Sequence, residues 1–148
     1  MLRVYLDVCC LNRPFDDQTQ ARIHLEAEAV MAIVARCETG DWEWISSEIV
    51  NLEVKRIPDA ERRRRVQMLA SHNHRTVILR QSEVDRAKEL ESWGIGAYDA
   101  LHLACAEGAE ADVFLTTDDR LVRKSATHSE QLRVRVENPL AWVEEVIT

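Results

Sequence analysis

The sequence predicts a single α/β domain with a mostly parallel sheet covered by helices on both faces. Short apolar stretches suited to strands alternate with segments of helical periodicity from one end of the chain to the other. No linker, repeat or low-complexity tract interrupts that alternation. The chain has 148 residues, 46% of them hydrophobic, which is enough for one core.

Taken in order, Leu2 to Leu6 is the first strand, and "CLNRPFDD" after it reads as a loop broken by Pro14. A long helix follows, with Ile23, Ala27, Val30, Ile33, Val34 and Cys37 at three- and four-residue spacings and Gly40 as its left-handed stop. "WEWIS" at 42–46 is a second strand, with Trp42 and Trp44 on one face, where core or dimer packing is expected. Ser47 caps a short helix from Glu48 to Arg56, which ends ahead of Pro58. Asp59 caps the next helix, "AERRRRVQMLASH". "TVIL" at 76–79 reads as a short buried strand, and Ser82 with Asp85 as a capping box opening a helix to Trp93, ended by Gly94 and Gly96. "AYDALHLACAEG" is a mostly apolar helix closed by Gly108, "DVFLTT" a strand, and "DDRLVRKSA" a helix with acids in its first turn. "LRVRV" is the last strand, after which Asn138 caps a terminal helix with Pro139 at its first position. On that helix Trp142 faces either its own sheet or a second subunit.

Composition excludes some roles. No apolar run approaches the roughly 20 residues of a membrane span, and the N-terminus lacks a secretory pattern, so a soluble, cytoplasmic protein is expected. Cys9, Cys10, Cys37 and Cys105 form no C-x-x-C pair and sit in apolar patterns, which suits buried thiols rather than disulfides or zinc. The net charge of −7 argues against a passive nucleic-acid coat protein but not against an enzyme with local basic patches.

Four acids stand where the pattern does not ask for them. Asp7 ends the first strand and Asp118 follows "DVFLTT", so both are predicted to project toward the rim where open parallel sheets bind ligands. Glu53 and Asp99 lie among apolar helical neighbours, where a carboxylate is costly unless paired or bound to a cation. Singly, each has an ordinary explanation as a cap, a helix-dipole acid or half of an ion pair. Together at one rim they would repel one another, and a divalent cation with oxygen preference, Mg2+ or Mn2+, is the simplest relief.

The ordered motifs "YLDVCCLN", "SSEIVNLEV", "YDALHLACA" and "FLTTDDRL" resemble the PIN-domain family of metal-dependent ribonucleases, including VapC-like toxins of toxin-antitoxin pairs. The resemblance covers nearly the whole chain. It implies a three-layer α/β/α fold and makes Asp7, Glu53, Asp99 and Asp118 the metal-binding acids, with Asp119 an auxiliary. It further implies cleavage of RNA without a side-chain nucleophile, leaving a 5′ phosphate and a 3′ hydroxyl. A cognate antitoxin and a homodimer are the partners it implies. Cys9 departs from the family, many members of which have a small hydroxyl or amide residue two places after the first Asp; Asn12 is the expected substitute.

"ERRRRV" at 61–66 reads as a solvated helix face, whereas Arg13, Lys55, Arg56, Arg120, Arg123 and Lys124 lie nearer the rim in sequence and are the expected RNA-steering cations. His102, three residues after Asp99, is expected as a hydrogen-bonded neighbour of the site, since hard cations prefer oxygen. His72 and His74 read as a polar helix end. A phosphoryl-accepting switch domain would need a lysine ending a late strand, and an aspartate-nucleophile phosphatase a D-x-D where "DVC" stands. The alternatives within the same fold are a stand-alone RNA-processing nuclease and a catalytically silent binding or scaffold protein.

Overall fold

The computed structural model describes residues 1–147. Its sheet has five strands, all parallel, in the order β3-β2-β1-β4-β5: β1 (Leu2–Leu6), β2 (Trp42–Ser47), β3 (Arg75–Val77), β4 (Val113–Leu115) and β5 (Arg135–Glu137). Eight α-helices connect and flank them: α1 (Val8–Asn12), α2 (Ala21–Glu38), α3 (Glu48–Lys55), α4 (Ala60–Ala70), α5 (Gln81–Glu91), α6 (Ala97–Gly108), α7 (Asp119–Thr127) and α8 (Pro139–Ile147). The expected three-layer α/β/α architecture is thus present. The chain winds outward from β1 through β2 to β3, then returns to pair β4 with the other side of β1. That reversal opens a crevice beyond the carboxyl ends of β1 and β4, the usual ligand position in such sheets.

The centre of the sheet is the core. Tyr5, Leu6, Ile45, Phe114 and Leu115 are fully buried, and the Tyr5 and Phe114 rings stack with centroids 5.2 Å apart. Trp42 and Trp142 pack on each other at 5.0 Å, so the question left open for the terminal helix is answered within this chain. Asn138 Oδ1 accepts from Leu140 N and starts α8 as its Asn-Pro sequence predicts.

Several local expectations are corrected. The segment after β1 is not a loop: Asp7 accepts from Val8 N at 2.8 Å, starts α1, and a 3-10 turn over Arg13–Phe15 follows. β3 is exposed rather than buried, because it is an edge strand with β2 as its one neighbour; Ile78 beyond it is 66% exposed. Ser82 lies inside the first turn of α5, bonded to Glu83, and Asp85 accepts from Gln81, so no capping box forms. α6 is closed by Glu110 with φ 57°, while Gly108 lies in the last turn, where a Cβ would meet Glu83 of α5 at 3.4 Å. The last strand begins at Arg135, later than "LRVRV" suggests.

Candidate active site at the carboxyl edge of the sheet

Asp7 occupies the crevice because β1 ends there and its main-chain N–H still donates to Leu115 O of β4 at 2.9 Å. Its carboxylate is nearly buried and well held: Oδ1 accepts from Val8 N, and Oδ2 from Thr116 Oγ1 at 2.8 Å and from Cys9 Sγ at 3.4 Å. Glu53, on the last turn of α3, takes a 2.6 Å hydrogen bond from His102 Nε2 of α6. The same nitrogen is 4.0 Å from Asp7 Oδ1, so His102 stands between two of the acids. Its Nδ1 meets Tyr5 OH at 2.7 Å, and Tyr5 OH meets Ser47 Oγ at 2.6 Å. Burial pulls the His102 pKa down, but the bond to Glu53 and the charge of Asp7 outweigh it, and the net shift is upward.

Asp99 and Asp118 line one cleft of about 270 Å³. Asp118 caps α7, accepting from Arg120 N and Leu121 N at 3.0 and 3.3 Å. The Asp99 carboxyl is pushed up to about 6, first by burial and then by the negative charge of Asp7, with Asp118 and Glu53 adding to it. The four acids therefore share one field. Asp119 is turned away: its carboxylate takes a 2.6 Å bond from Arg22, which holds its pKa below the usual carboxylate value.

The sequence-nominated cations divide into two sets. Arg13 is committed to Glu26 and Asp16 at 2.9 and 3.0 Å, and Arg56 lies over the Tyr98 ring. Lys55 sits in a separate groove between α3 and α4. Arg120 and Lys124 line the Asp99–Asp118 cleft. In the basic run, Arg62 ties α4 to the 3-10 turn through Asp16 and Phe15 O, both at 2.8 Å, so it is a structural bridge rather than a solvated residue.

Among the described residues, no three His, Cys, Asp or Glu side chains close around one point as a finished metal cage. Asp7, Glu53 and Asp118 each hold a protein partner instead. The donor set nevertheless suits a hard divalent cation: it is made of carboxylate oxygens, partly buried, and burial together with the neighbouring negative charges already pushes the Asp99 carboxyl up to about 6.

The sequence matches the PIN domain over residues 4–126, most of the chain. The chain belongs to the PIN-domain family. Solved structures with a similar fold include VapBC2 from Rickettsia felis bound to a promoter DNA fragment, with a TM-score of 0.61 and 14% identity over 93% of this chain and 98% of that one. VapBC-1 from nontypeable Haemophilus influenzae follows at 0.59 and 12% over 93% and 98%. DNA-bound VapBC from Salmonella typhimurium gives 0.55 and 16% over 94% and 99%. No protein of curated function matches significantly in sequence.

Within this PIN domain the departure at Cys9 has a structural answer. Asn12 does not replace the missing hydroxyl, because its Oδ1 accepts from Arg62 and its Nδ2 donates to Val8 O. Thr116 supplies it from just past β4: its hydroxyl donates to Asp7, accepts from Asp118 N at 3.1 Å and lies 3.3 Å from Cys9 Sγ. The site contacts of Thr116, Tyr5 and Ser47 are not visible in the sequence, because each reads as an ordinary strand residue or, for Ser47, as a helix cap alone. The one available signal was the position of Thr116 directly past a strand end.

Proposed function

We propose that this PIN domain is a metal-dependent endoribonuclease that hydrolyses phosphodiester bonds, acting as the toxin of a toxin-antitoxin pair. The observation that carries the reading is the gathering of Asp7, Glu53, Asp99 and Asp118 at the crevice between β1 and β4, two of them bridged by His102 and two lining one cleft. Membership of the PIN family supports the nuclease, and the likeness to VapBC structures supports a toxin with an antitoxin partner. A homodimer is part of the proposal by family resemblance.

Asp7, Glu53, Asp99 and Asp118 would hold Mg2+ or Mn2+, which when bound supplies Lewis-acid polarisation of phosphoryl oxygen and activation of water. The residues themselves define the rest. His102 fixes the Glu53 carboxylate, and Thr116 fixes Asp7 relative to Asp118. None of the residues lining the cleft is a serine or cysteine, which favours direct attack by water over a covalent intermediate.

The test is cleavage of a panel of single-stranded and structured RNAs by the purified protein with Mn2+ or Mg2+, against EDTA and against Asp7→Asn. Cleavage should disappear in EDTA and fall at least about 100-fold in the folded variant. Equal cleavage by both proteins would refute the assignment.

A further inference from the structure

Most surface arginines near the site are already neutralised by acids. Arg13 and Arg62 pair with Asp16, and Arg22 with Glu26 and Asp119. Arg120 and Lys124 are different. They stand four residues apart, about one helical turn, on the side of α7 that faces the cleft, and among the described residues neither side chain has an ion-pair or hydrogen-bond partner. Both line the cleft that also contains Asp99 and Asp118, yet neither comes within 4.0 Å of those carboxylates.

The cleft's far wall keeps this arrangement open. Gly94 has φ 90°, a conformation that favours glycine, and Lys124 Nζ rests 2.9 Å from where a Cβ would stand. At about 270 Å³ the cleft lies just below the roughly 300–1,000 Å³ of pockets that enclose whole small molecules. None of its eight lining residues is aromatic, so it offers no platform for a base. What fits is a piece of a longer anionic chain, bound by charge through its backbone.

We propose that this cleft binds one phosphodiester of a single-stranded nucleic acid, adjacent along the strand to the bond that is cut, with Arg120 and Lys124 as its ligands. The inference rests on the nuclease reading above and adds the path of the strand: over α7 and the Gly94–Gly96 turn, not over the paired Arg13. Contacts of this kind position a strand without reading its sequence.

The test is fluorescence anisotropy with labelled ten-nucleotide single strands, one RNA and one DNA, each in two unrelated sequences, with EDTA present to prevent metal-dependent hydrolysis. The variants are Arg120→Ala/Lys124→Ala, the charge-conserving Arg120→Lys/Lys124→Arg, and Arg64→Ala/Arg65→Ala as a control on α4, all checked for unchanged thermal midpoints. The alanine pair should weaken binding at least about tenfold on every strand and make the salt dependence shallower by about 0.7, the value of one neutralised phosphate on a single strand. The charge-conserving pair should stay near wild type, as should the control. Unchanged affinity and salt slope in the alanine pair, with a wild type that binds, would overturn the subsite while leaving the nuclease reading intact. A wild type that binds none of the strands would also overturn the subsite, and the nuclease reading is decided separately by the metal-dependent cleavage panel.

Discussion

Asp99 carries the least comfortable charge in the site, with burial and the neighbouring Asp7 raising its pKa from 3.8 to about 6. Between those values the folded protein keeps a proton that the unfolded chain has released, so in metal-free protein this residue's contribution to stability falls as pH rises from about 4 through 6. Denaturant titrations in EDTA should show wild type losing roughly 1–2 kcal/mol relative to Asp99→Asn between pH 4.5 and 7.5, a figure already reduced for solvent screening. Parallel pH profiles for the two proteins would contradict the shared field. At Thr116 a second prediction applies: Thr116→Val should cost about 1–3 kcal/mol, since it strips Asp7 and Asp118 N of a partner without changing side-chain volume much, and Thr116→Ser should restore most of it. The four acids were legible in the sequence because a carboxylate in an apolar pattern is conspicuous. Thr116 and Tyr5 were not, because their roles depend on which strand lies beside β1, and a linear pattern does not encode that.

At the level of elements, α3 is tied at both ends to the same network. Ser47 Oγ accepts from Ile49 N and Val50 N at its start and touches Tyr5 OH, whose other neighbour, His102, grips Glu53 near its end. α8 is fixed by Trp142, 3% exposed and packed at a tilt against Trp42. Trp142→Ala should lower stability by about 3–5 kcal/mol in chemical denaturation, with a loss that does not depend on protein concentration; a concentration-dependent loss would mean that the tryptophan serves a subunit contact instead. Most helices were readable because their caps are local: Ser47, Asp59 and Asn138 each act within three residues. Where the reading failed, tertiary contact decided the outcome. β3 has nothing outside it to bury its residues, and Gly108 lies beside Glu83 of α5 while Glu110 takes the left-handed conformation that closes α6.

For the whole molecule, the parallel order β3-β2-β1-β4-β5 accounts for the site. Reversing direction after β3 sets β4 beside β1, which brings Thr116 and Asp118 to Asp7, while α3 and α6 deliver Glu53 and Asp99 to the same rim. The net charge of −7 is therefore not spread as an obstacle to an anionic substrate. Part of it is concentrated where a cation would neutralise it, beside two unpaired cations on α7. Among the described residues, no helix is long and apolar enough to cross a membrane. The central claim is that these four carboxylates act together as one cation site. It is tested most directly by titrating the purified protein with Mn2+ and following free metal by electron paramagnetic resonance, at pH 7.5, for wild type and Asp99→Asn. Saturable uptake by wild type, weakened at least about tenfold in the variant, is the predicted result. Uptake that never saturates, or curves that coincide for the two proteins, would contradict it.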